Sequence, residues 1–303
     1  MMIFKRGFKR MIAFIYVLKD LHSHFKYSAP EDGLISTKLN ASSRITILEK
    51  DLHRIEKGLS LANAKKSFGR EPADRINSFL RNNSQSKDSD YHTRSRVALA
   101  ARDSWILTGN RANGALTERV SPQIDSSTDG LFEQFFKTRR SIRNFGISPV
   151  SENQILKALE WSINSPSVCN RQGWYVWYVT ERDTLEEILS LQNGNSGFNN
   201  LNAVLIFGMD RRKYTLGSER NQIWIDGGLF AMSTLWALHA QGLGTCFLNW
   251  ATSPKKSKKL RNLVGASDNI EFITLCAVGS FGTDTLVAKS PRKNPSQYIQ
   301  FLR

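Results

Sequence analysis

The stretch "QIWIDGGLFAMSTLWALHAQGLGTCFLNW" (Gln222–Trp250) shapes the expected architecture of the chain. Its first part is apolar at almost every position, too uniform for a helix with one side in water, and Gly242 and Gly244 end it. The apolar segment "TCFLNW" follows at once and has the length and composition of a buried strand. We therefore expect a helix that is covered on nearly all sides, by a sheet and by a second subunit.

Helices and strands alternate around this stretch from Leu131 to the end of the chain. Ser151 and Gln154 have the spacing of a capping box at the start of one helix, and Asp183 is the expected cap of another. The predicted helices are "LFEQFFKTRR", "SENQILKALEWSIN", "DTLEEILSLQ" and "SPKKSKKLRNLVG", and the predicted strands are "WYVWYVT", "NAVLIFGMD", "TCFLNW" and "EFITLCAVGSFG". The pattern predicts an α+β domain over residues 131–303, a sheet flanked by helices.

The part of the chain before Leu131 has a different pattern. Residues 41–108 are predicted to be helical, and the first helix has Ser42 or Ser43 as its expected cap, followed by apolar residues at helical spacing. Residues 109–130 are rich in Gly, Asn, Ser and Thr and are interpreted as a linker. The expected first domain, residues 1–130, is therefore a mostly helical N-terminal extension with its linker.

The N-terminus, "MMIFKRGFKRMIAFIYVLKD", is basic and then apolar. Its apolar run, Met11–Leu18, is far shorter than the roughly 20 residues needed to cross a bilayer. No small-residue cleavage pattern follows Asp20 and Leu21, which argues against a signal peptide. A buried helix is the favoured interpretation, and peripheral contact of residues 1–20 with a membrane surface or a partner is the alternative.

The 303 residues carry a net charge of +15 and are 40% hydrophobic, enough for a real core. The charge indicates an anionic partner, but the basic residues are spread over both halves and form no nucleic-acid-binding motif, so no specific nucleic acid is expected. The three cysteines, Cys169, Cys246 and Cys276, have neither metal-ligand nor disulfide spacing, and the five histidines are scattered. These features favour a reducing cytoplasm and predict no metal site.

Two basic turns are the first candidates for binding chemistry. The first, "KTRRSIRNFG", ends a predicted helix, and the second, "SPRKNP", follows the last predicted strand. Guanidinium forks and a hydroxyl suit phosphate oxygens, and no glycine-rich dinucleotide or Walker-type loop is present. The candidate phosphate ligands are Arg139, Arg140, Ser141, Arg143, Arg292 and Lys293. Each turn could equally be a solvated charged loop, and the sequence does not show that both reach one phosphate.

A third stretch, "SPSVCNRQGW" (Ser165–Trp174), is a polar turn-forming loop directly before a strand. Four stretches, in the order of the sequence, resemble the nitroreductase family of FMN-dependent oxidoreductases. They are "RRSIRNF", this loop, the helix "DGGLFAMSTLWALHAQGLGTCFLNW", and the closing "VGSFG" with "PRKNP". The resemblance covers about 170 residues, up to the C-terminus. The sequence departs from the family's loop motif at Gly173, where the family usually has Pro.

The resemblance implies a homodimer with a flavin site shared between two subunits. The residues of the two basic turns would hold the FMN phosphate and ribityl chain. The residues implied to contact the flavin ring are Pro166, Ser167 and Asn170 from the partner subunit, together with Asn195, Phe247, Leu248 and Asn249. Asn195 would hydrogen-bond the ring edge, whereas core packing is the competing interpretation of Phe247 and Leu248. No catalytic residue is assigned.

The implied activity is hydride transfer from NAD(P)H to FMN and on to a small conjugated acceptor, a quinone or nitro compound, by a ping-pong cycle. One alternative is a flavin enzyme for a dedicated intermediate of surface-polysaccharide or specialised-metabolite biosynthesis, because "HRIEKGLS" (His53–Ser60) resembles an extension of polysaccharide-associated relatives. The other alternative is a non-catalytic flavin-binding or membrane-surface protein. The expected location is the cytoplasm, either free or peripheral to a membrane.

Overall fold

The computed structural model has an α+β fold. The residues that it describes are 2–30, 41–61, 64–82, 89–109, 129–198, 200–201, 203–282, 285, 287–288 and 292–302. The α-helices are α1 (Met2–Tyr27), α2 (Ala41–Ser60), α3 (Arg70–Asn82), α4 (Ser89–Thr108), α5 (Asp129–Thr138), α6 (Glu152–Ser162), α7 (Arg182–Leu191), α8 (Gln222–Ala240) and α9 (Pro254–Leu263).

Four strands form one antiparallel sheet in the order β1-β2-β4-β3. They are β1 (Trp174–Val179), β2 (Ala203–Asp210), β3 (Gly244–Asn249) and β4 (Ile270–Gly279). Every residue of β2 is buried, as expected for an interior strand that is covered on both faces. These elements confirm the helices and strands predicted from residue 131 onward.

Helices cover both faces of the sheet. Side chains such as Leu205 and Phe207 of β2 pack with α6 and α8, whereas the alternate residue Ile206 packs with α7 and α9. On the first face the ring of Trp174 stacks on that of Phe230 in α8, with the ring centroids 4.4 Å apart. The sheet therefore fixes α8, and α8 in turn carries Asp226 and Trp236, which contact the site described below.

The helices α2, α3 and α4 pack around an apolar core of their own. This core contains Leu48, Leu52, Ile55, Leu59, Ala73, Ile76, Tyr91, Ala98, Leu99 and Ala101. The buried carboxylate of Asp51 in α2 accepts two hydrogen bonds from Arg75 in α3, at 2.6 and 2.7 Å. A bidentate pair of this kind fixes the angle between the two helices as well as their separation.

Helix α2 also joins this helical core to the sheet domain. The Thr46 hydroxyl donates to the carbonyl of Arg212 at 2.7 Å, and the Lys213 ammonium donates to the Glu49 carboxylate at 2.8 Å. The two residues of the sheet domain in these contacts, Arg212 and Lys213, lie directly after β2. The boundary predicted near residue 130 is thus crossed by specific contacts, and the division into two domains stays a prediction.

The N-terminal helix differs from its favoured interpretation as a buried helix. In α1 the apolar side chains of Met11, Phe14, Ile15 and Leu18 are all exposed, because the helix meets the rest of the protein through other side chains. Within the described residues, no helix is long and apolar enough to span a bilayer.

Two predicted helix caps are also corrected. Ser42 and Ser43 lie inside the first turn of α2, which begins at Ala41. The cap of α7 is Glu181, whose carboxylate accepts from the backbone N–H groups of Asp183 and of the next residue. The capping box of Ser151 and Gln154 at the start of α6 is confirmed. Most of the predicted linker, residues 110–128, lies outside the described residues.

Candidate functional site

The two basic turns converge on one small cavity. We call its polar lining the arginine cleft, which consists of Arg139, Arg140, Ser141, Arg143 and Arg292. The cavity has a volume of about 50 Å³, so it has room for a small group only. Four guanidiniums and one hydroxyl around such a space are the donor set that suits a phosphate.

The segment after α5 holds its side of the arginine cleft against the sheet. Ser141 forms a parallel bridge with Thr245 of β3, and the Ile142 N–H donates to the Thr245 carbonyl at 2.9 Å. Ile142 itself is buried in the core between the sheet and α7, while its neighbours on either side face the cleft. Local strand geometry therefore sends alternate side chains into the core and into the cleft.

The arginine cleft concentrates positive charge. Burial, and then the neighbouring guanidiniums of Arg292 and Arg140, lower the pKa of Arg139 below its ordinary value. The Arg139 guanidinium also lies 5.8 Å from the centre of the Trp236 ring in α8. Like charges held this closely repel each other, and a bound anion would relieve that repulsion. Lys293, in contrast, is exposed and does not line the cleft.

The polar loop, Ser165–Gly173, has an unusual backbone. Cys169, Asn170 and Gln172 have φ values of 50°, 51° and 48°, a left-handed conformation that non-glycine residues rarely adopt. The Gln172 N–H donates to the Ser167 hydroxyl at 3.0 Å, and the Gln172 amide donates to the Asn170 side-chain oxygen at 3.2 Å. These contacts leave Pro166 and Asn170 exposed at the tip of the loop. Strained backbone of this kind persists only where the surroundings hold it in place.

Buried charges below the polar loop hold it in place. Asp226 of α8 accepts from the Val168 N–H at 3.0 Å and from the Tyr214 hydroxyl at 3.2 Å. Burial, and then the Asp226 charge, raise the pKa of Tyr214, so its hydroxyl keeps the proton that it donates. Asp226 was not predicted as a site residue, although an isolated carboxylate in an apolar helix is a signal that could have identified it.

A second buried group supports the same loop from the side of the N-terminal helices. The Arg171 guanidinium donates to the Glu219 carboxylate at 2.8 Å, and Lys50 of α2 lies 3.9 Å from that carboxylate. Glu219 also accepts from the Thr215 N–H at 2.7 Å. Helix α2 therefore contributes a charge to the base of the polar loop. Nothing in the local sequence pattern indicated this contact, because its partners are far apart in the chain.

The polar loop and the arginine cleft are attached to opposite ends of α8. Asp226, near the first turn of the helix, binds the loop, whereas Trp236, near the last turn, lies against Arg139 of the cleft. At the rise of an α-helix these two attachment points are about 15 Å apart. A single chain thus presents two separate groups of predicted site residues.

The remaining predicted residues cluster at the end of β3. Phe247 and Asn249 are exposed on the α8 face of the sheet, while Leu248 is buried on the other face, so core packing describes Leu248. The Asn195 amide donates to the Leu189 carbonyl at 2.6 Å and to the Gln192 side chain at 3.1 Å. Gln192 in turn donates to the Asn249 carbonyl at 3.1 Å, which ties the Asn195 loop to β3.

Metal chemistry has no candidate among the described residues, where no three His, Cys, Asp or Glu side chains are grouped to hold an ion. The three cysteines are unpaired, and burial raises the pKa of each thiol.

Comparison with known proteins gives consistent matches. Residues 136–196, which include most of the arginine cleft and the polar loop, match the model of the nitroreductase family. A protein of Archaeoglobus fulgidus, provisionally named an NADH dehydrogenase/NAD(P)H nitroreductase, is 26% identical over 143 residues, 47% of this chain and 80% of that protein. The crystal structure of a Bacillus subtilis protein provisionally named a nitroreductase is 17% identical, covers 57% of this chain and 99% of its own, and superimposes with a TM-score of 0.50. The structural likeness shows a shared fold.

Proposed function

We propose that the chain is an FMN-dependent NAD(P)H oxidoreductase that works as a homodimer, because residues 136–196 match the nitroreductase family and the chain resembles a curated relative of that name. FMN, when bound, would accept a hydride from NAD(P)H and pass electrons to a small conjugated acceptor, a quinone or nitro compound. The protein's own residues would anchor, orient and enclose the cofactor. The unpaired cysteines support a location in the reducing cytoplasm.

The observation that carries this proposal is the arginine cleft. Residues from both ends of the sheet domain surround one cavity, and burial together with the charges of Arg292 and Arg140 lowers the pKa of Arg139. FMN offers a terminal phosphate dianion that would accept bidentate hydrogen bonds from this set. We assign Arg139, Arg140, Ser141, Arg143 and Arg292 to the phosphate and ribityl chain, with Lys293 in an outer, screening position.

The flavin ring would lie on the α8 face of β3. Phe247 and Asn249 are exposed there, whereas Leu248 would support the strand by packing in the core on the opposite face of the sheet. Asn195 would act through its side-chain oxygen, because its N–H groups already bind Leu189 and Gln192. That oxygen is an acceptor, so it would orient the ring by accepting a hydrogen bond from an N–H group of the flavin.

The second subunit would supply Pro166, Ser167 and Asn170. The polar loop and the arginine cleft lie at opposite ends of α8, and a two-fold axis across that helix would exchange its ends. The helix also exposes Trp224, Ile225 and Leu229, which a partner would cover. The loop of one subunit would then meet the cleft of the other.

The experiment that tests this function is a flavin titration. We expect the purified protein to be yellow and to release FMN on denaturation. Arg139→Ala and Arg292→Ala should each weaken FMN binding by roughly 1.5–3 kcal/mol, because each removes a charge-assisted phosphate contact. Arg182→Ala, which removes an exposed guanidinium of α7 that pairs with Glu186, is the matched control and should bind FMN normally. A colourless protein that cannot be reconstituted with FMN would contradict the proposal.

The contact between α2 and the base of the polar loop favours a second candidate within the same chemistry. If the N-terminal helices shape a pocket, the enzyme would act on a dedicated intermediate of surface-polysaccharide or specialised-metabolite biosynthesis and need no nicotinamide. Steady-state oxidation of NAD(P)H with generic quinones separates the two candidates. Rapid turnover supports the general reductase, whereas a flavoprotein without NAD(P)H oxidation supports the dedicated enzyme.

A further inference from the structure

Helix α1 exposes an apolar face, in which His22 lies between Leu18 and Phe25. Met11, Phe14, Ile15, Leu18 and Phe25 are 41–67% exposed and recur at spacings that place them on the same side of the helix. In the sequence, Phe4 and Phe8 precede them at the same spacing. A face of this length on a surface helix indicates contact with another apolar surface.

The protein holds α1 by other residues, so that this face points away from it. Asp20 forms ion pairs with Arg211 at 2.5 Å and with Arg220 at 2.8 Å. His24 is buried in the next turn, and the segment after the helix is fixed by the Ala29 N–H, which donates to the Tyr214 carbonyl at 2.8 Å. The helix is therefore anchored at its C-terminal half while its apolar face stays uncovered.

Basic residues lie near this face in the sequence and on the neighbouring helix α9. The sequence has Lys5, Arg6, Lys9 and Arg10 before the exposed apolar run, and no acidic residue before Asp20. Helix α9 lies beside α1, because Tyr16 and Lys19 of α1 line one cavity together with Pro254, Ser257 and Arg261 of α9. The exposed lysines of α9 are Lys255, Lys258 and Lys259.

We propose that α1 lies in the headgroup region of an anionic lipid bilayer and holds the enzyme at a membrane surface, with α9 adding basic contacts. An amphipathic helix with a basic flank and an apolar face is the structure that binds such an interface without crossing it. A second copy of the chain fits less well, because pairing through this face would bring two basic surfaces together. This surface is independent of the arginine cleft and goes beyond the proposed oxidoreductase function.

The test is co-sedimentation of the full-length protein with vesicles of phosphatidylcholine alone or with about one third phosphatidylglycerol. The wild type should bind the anionic vesicles, and added salt should weaken that binding. Phe14→Ser/Leu18→Ser should lower the partition coefficient at least about tenfold, because two large apolar groups no longer enter the interface. Lys255→Glu/Lys258→Glu should lower it at least about fivefold on anionic vesicles only.

The matched control is Leu107→Ser/Ile147→Ser, which removes two exposed apolar side chains outside α1 and should bind lipid like the wild type. Absence of vesicle binding, or equal binding by wild type and the α1 variant, would overturn the proposal. A wild-type particle that is larger than the α1 variant in light scattering without lipid would also overturn it, by assigning the face to a second copy. An unchanged circular-dichroism spectrum and thermal midpoint in the α1 variant show that it is folded, so this test does not depend on the FMN assignment.

Discussion

Arg171 and Glu219 form a buried ion pair beneath the polar loop. Arg171 is 3% exposed, and its guanidinium lies between the loop and Glu219, 5.6 Å from the centre of the Tyr214 ring. Burial acts to raise the pKa of Glu219, but the charge of Arg171 and the Thr215 N–H outweigh burial and hold that pKa below its ordinary value. Removing the Glu219 charge would leave the buried guanidinium of Arg171 without this ion-pair partner.

We expect Glu219→Gln to lower the free energy of unfolding by about 3–5 kcal/mol, measured by urea denaturation at neutral pH. Glu187→Gln is the matched control, since its partner Lys259 is largely exposed and the pair contributes about 0–1 kcal/mol. Replacing both charges, in Arg171→Met/Glu219→Gln, should recover part of the loss. If the single variant is as stable as the control, the pair does not support the loop.

The same pair predicts a pH dependence. A carboxylate whose pKa is depressed by folding adds stability above its unfolded pKa, near pH 4.3, and loses it as the pH falls through the folded value. The Tm difference between wild type and Glu219→Gln should therefore be largest at neutral pH and shrink below about pH 4. A difference that stays constant down to pH 3 would assign the effect to packing instead of charge.

At the scale of elements, α8 approaches the sheet most closely at a glycine. A Cβ built on Gly227 would lie 2.7 Å from Ile273 of β4 and 3.0 Å from Met209 of β2, whereas a Cβ on the adjacent Gly228 would meet nothing within 4 Å. The two neighbouring glycines thus face opposite surroundings, one against the sheet and one outward.

Alanine at these two positions is expected to act in opposite directions. Gly227→Ala should lower the free energy of unfolding by about 1–3 kcal/mol, because the added methyl group forces α8 off the sheet. Gly228→Ala, its matched control, should leave the stability unchanged or raise it by up to about 1 kcal/mol, since alanine favours a helix interior. Thermal denaturation followed by circular dichroism measures both, and equal losses would contradict the close approach.

The elements of residues 131–303 could be predicted because periodicity is a local property of sequence. Apolar segments such as "AVLIFGMD" and "WYVWYV", alternating with amphipathic segments, identified the strands and helices. The strand order β1-β2-β4-β3 depends on which strands pair with each other, and local sequence patterns do not contain this pairing. The exposure of α1 was missed for a related reason. Sequence shows which face of a helix is apolar, not whether another element covers it.

The residues of the candidate site also fall into those that a local sequence pattern could predict and those that it could not. Arg139 and Arg292 could be predicted from clusters of like charge, which are visible in sequence, and the structure brings both to one cavity. Glu219 and Lys50 could not be predicted, because each pairs with a residue from another part of the chain. The roles of Asn195 and Phe247 stay predictions, since they depend on the cofactor.

At the scale of the whole molecule, the exposed apolar face of α8 predicts a homodimer. Leu229→Glu would place two carboxylates near each other across a two-fold axis, so we expect the particle mass to fall from twice 34.3 kDa to a single chain, with loss of flavin. Leu107→Glu, at an exposed apolar position of α4, is the control and should stay dimeric. Light scattering of the wild type at the mass of one chain with flavin bound would refute the dimer.

The kinetic mechanism is a second prediction at the scale of the whole molecule. The sequence has no dinucleotide fingerprint, so NAD(P)H and the acceptor are expected to use the same cavity in turn and to exclude each other. Double-reciprocal plots at several quinone concentrations should then be parallel, as in a ping-pong cycle. Intersecting lines would mean that both substrates bind at once, at a second site.

The separation of the polar loop from the arginine cleft along α8 has a genetic consequence. If each site combines the cleft of one chain with the loop of the other, Arg139→Ala and Asn170→Ala damage different halves of the same site. A mixed dimer of the two variants then holds one site with both defects and one with neither. Random assortment of equal amounts of the two chains should restore about a quarter of the sites. Two alleles that each fail alone would complement each other when expressed in one cell.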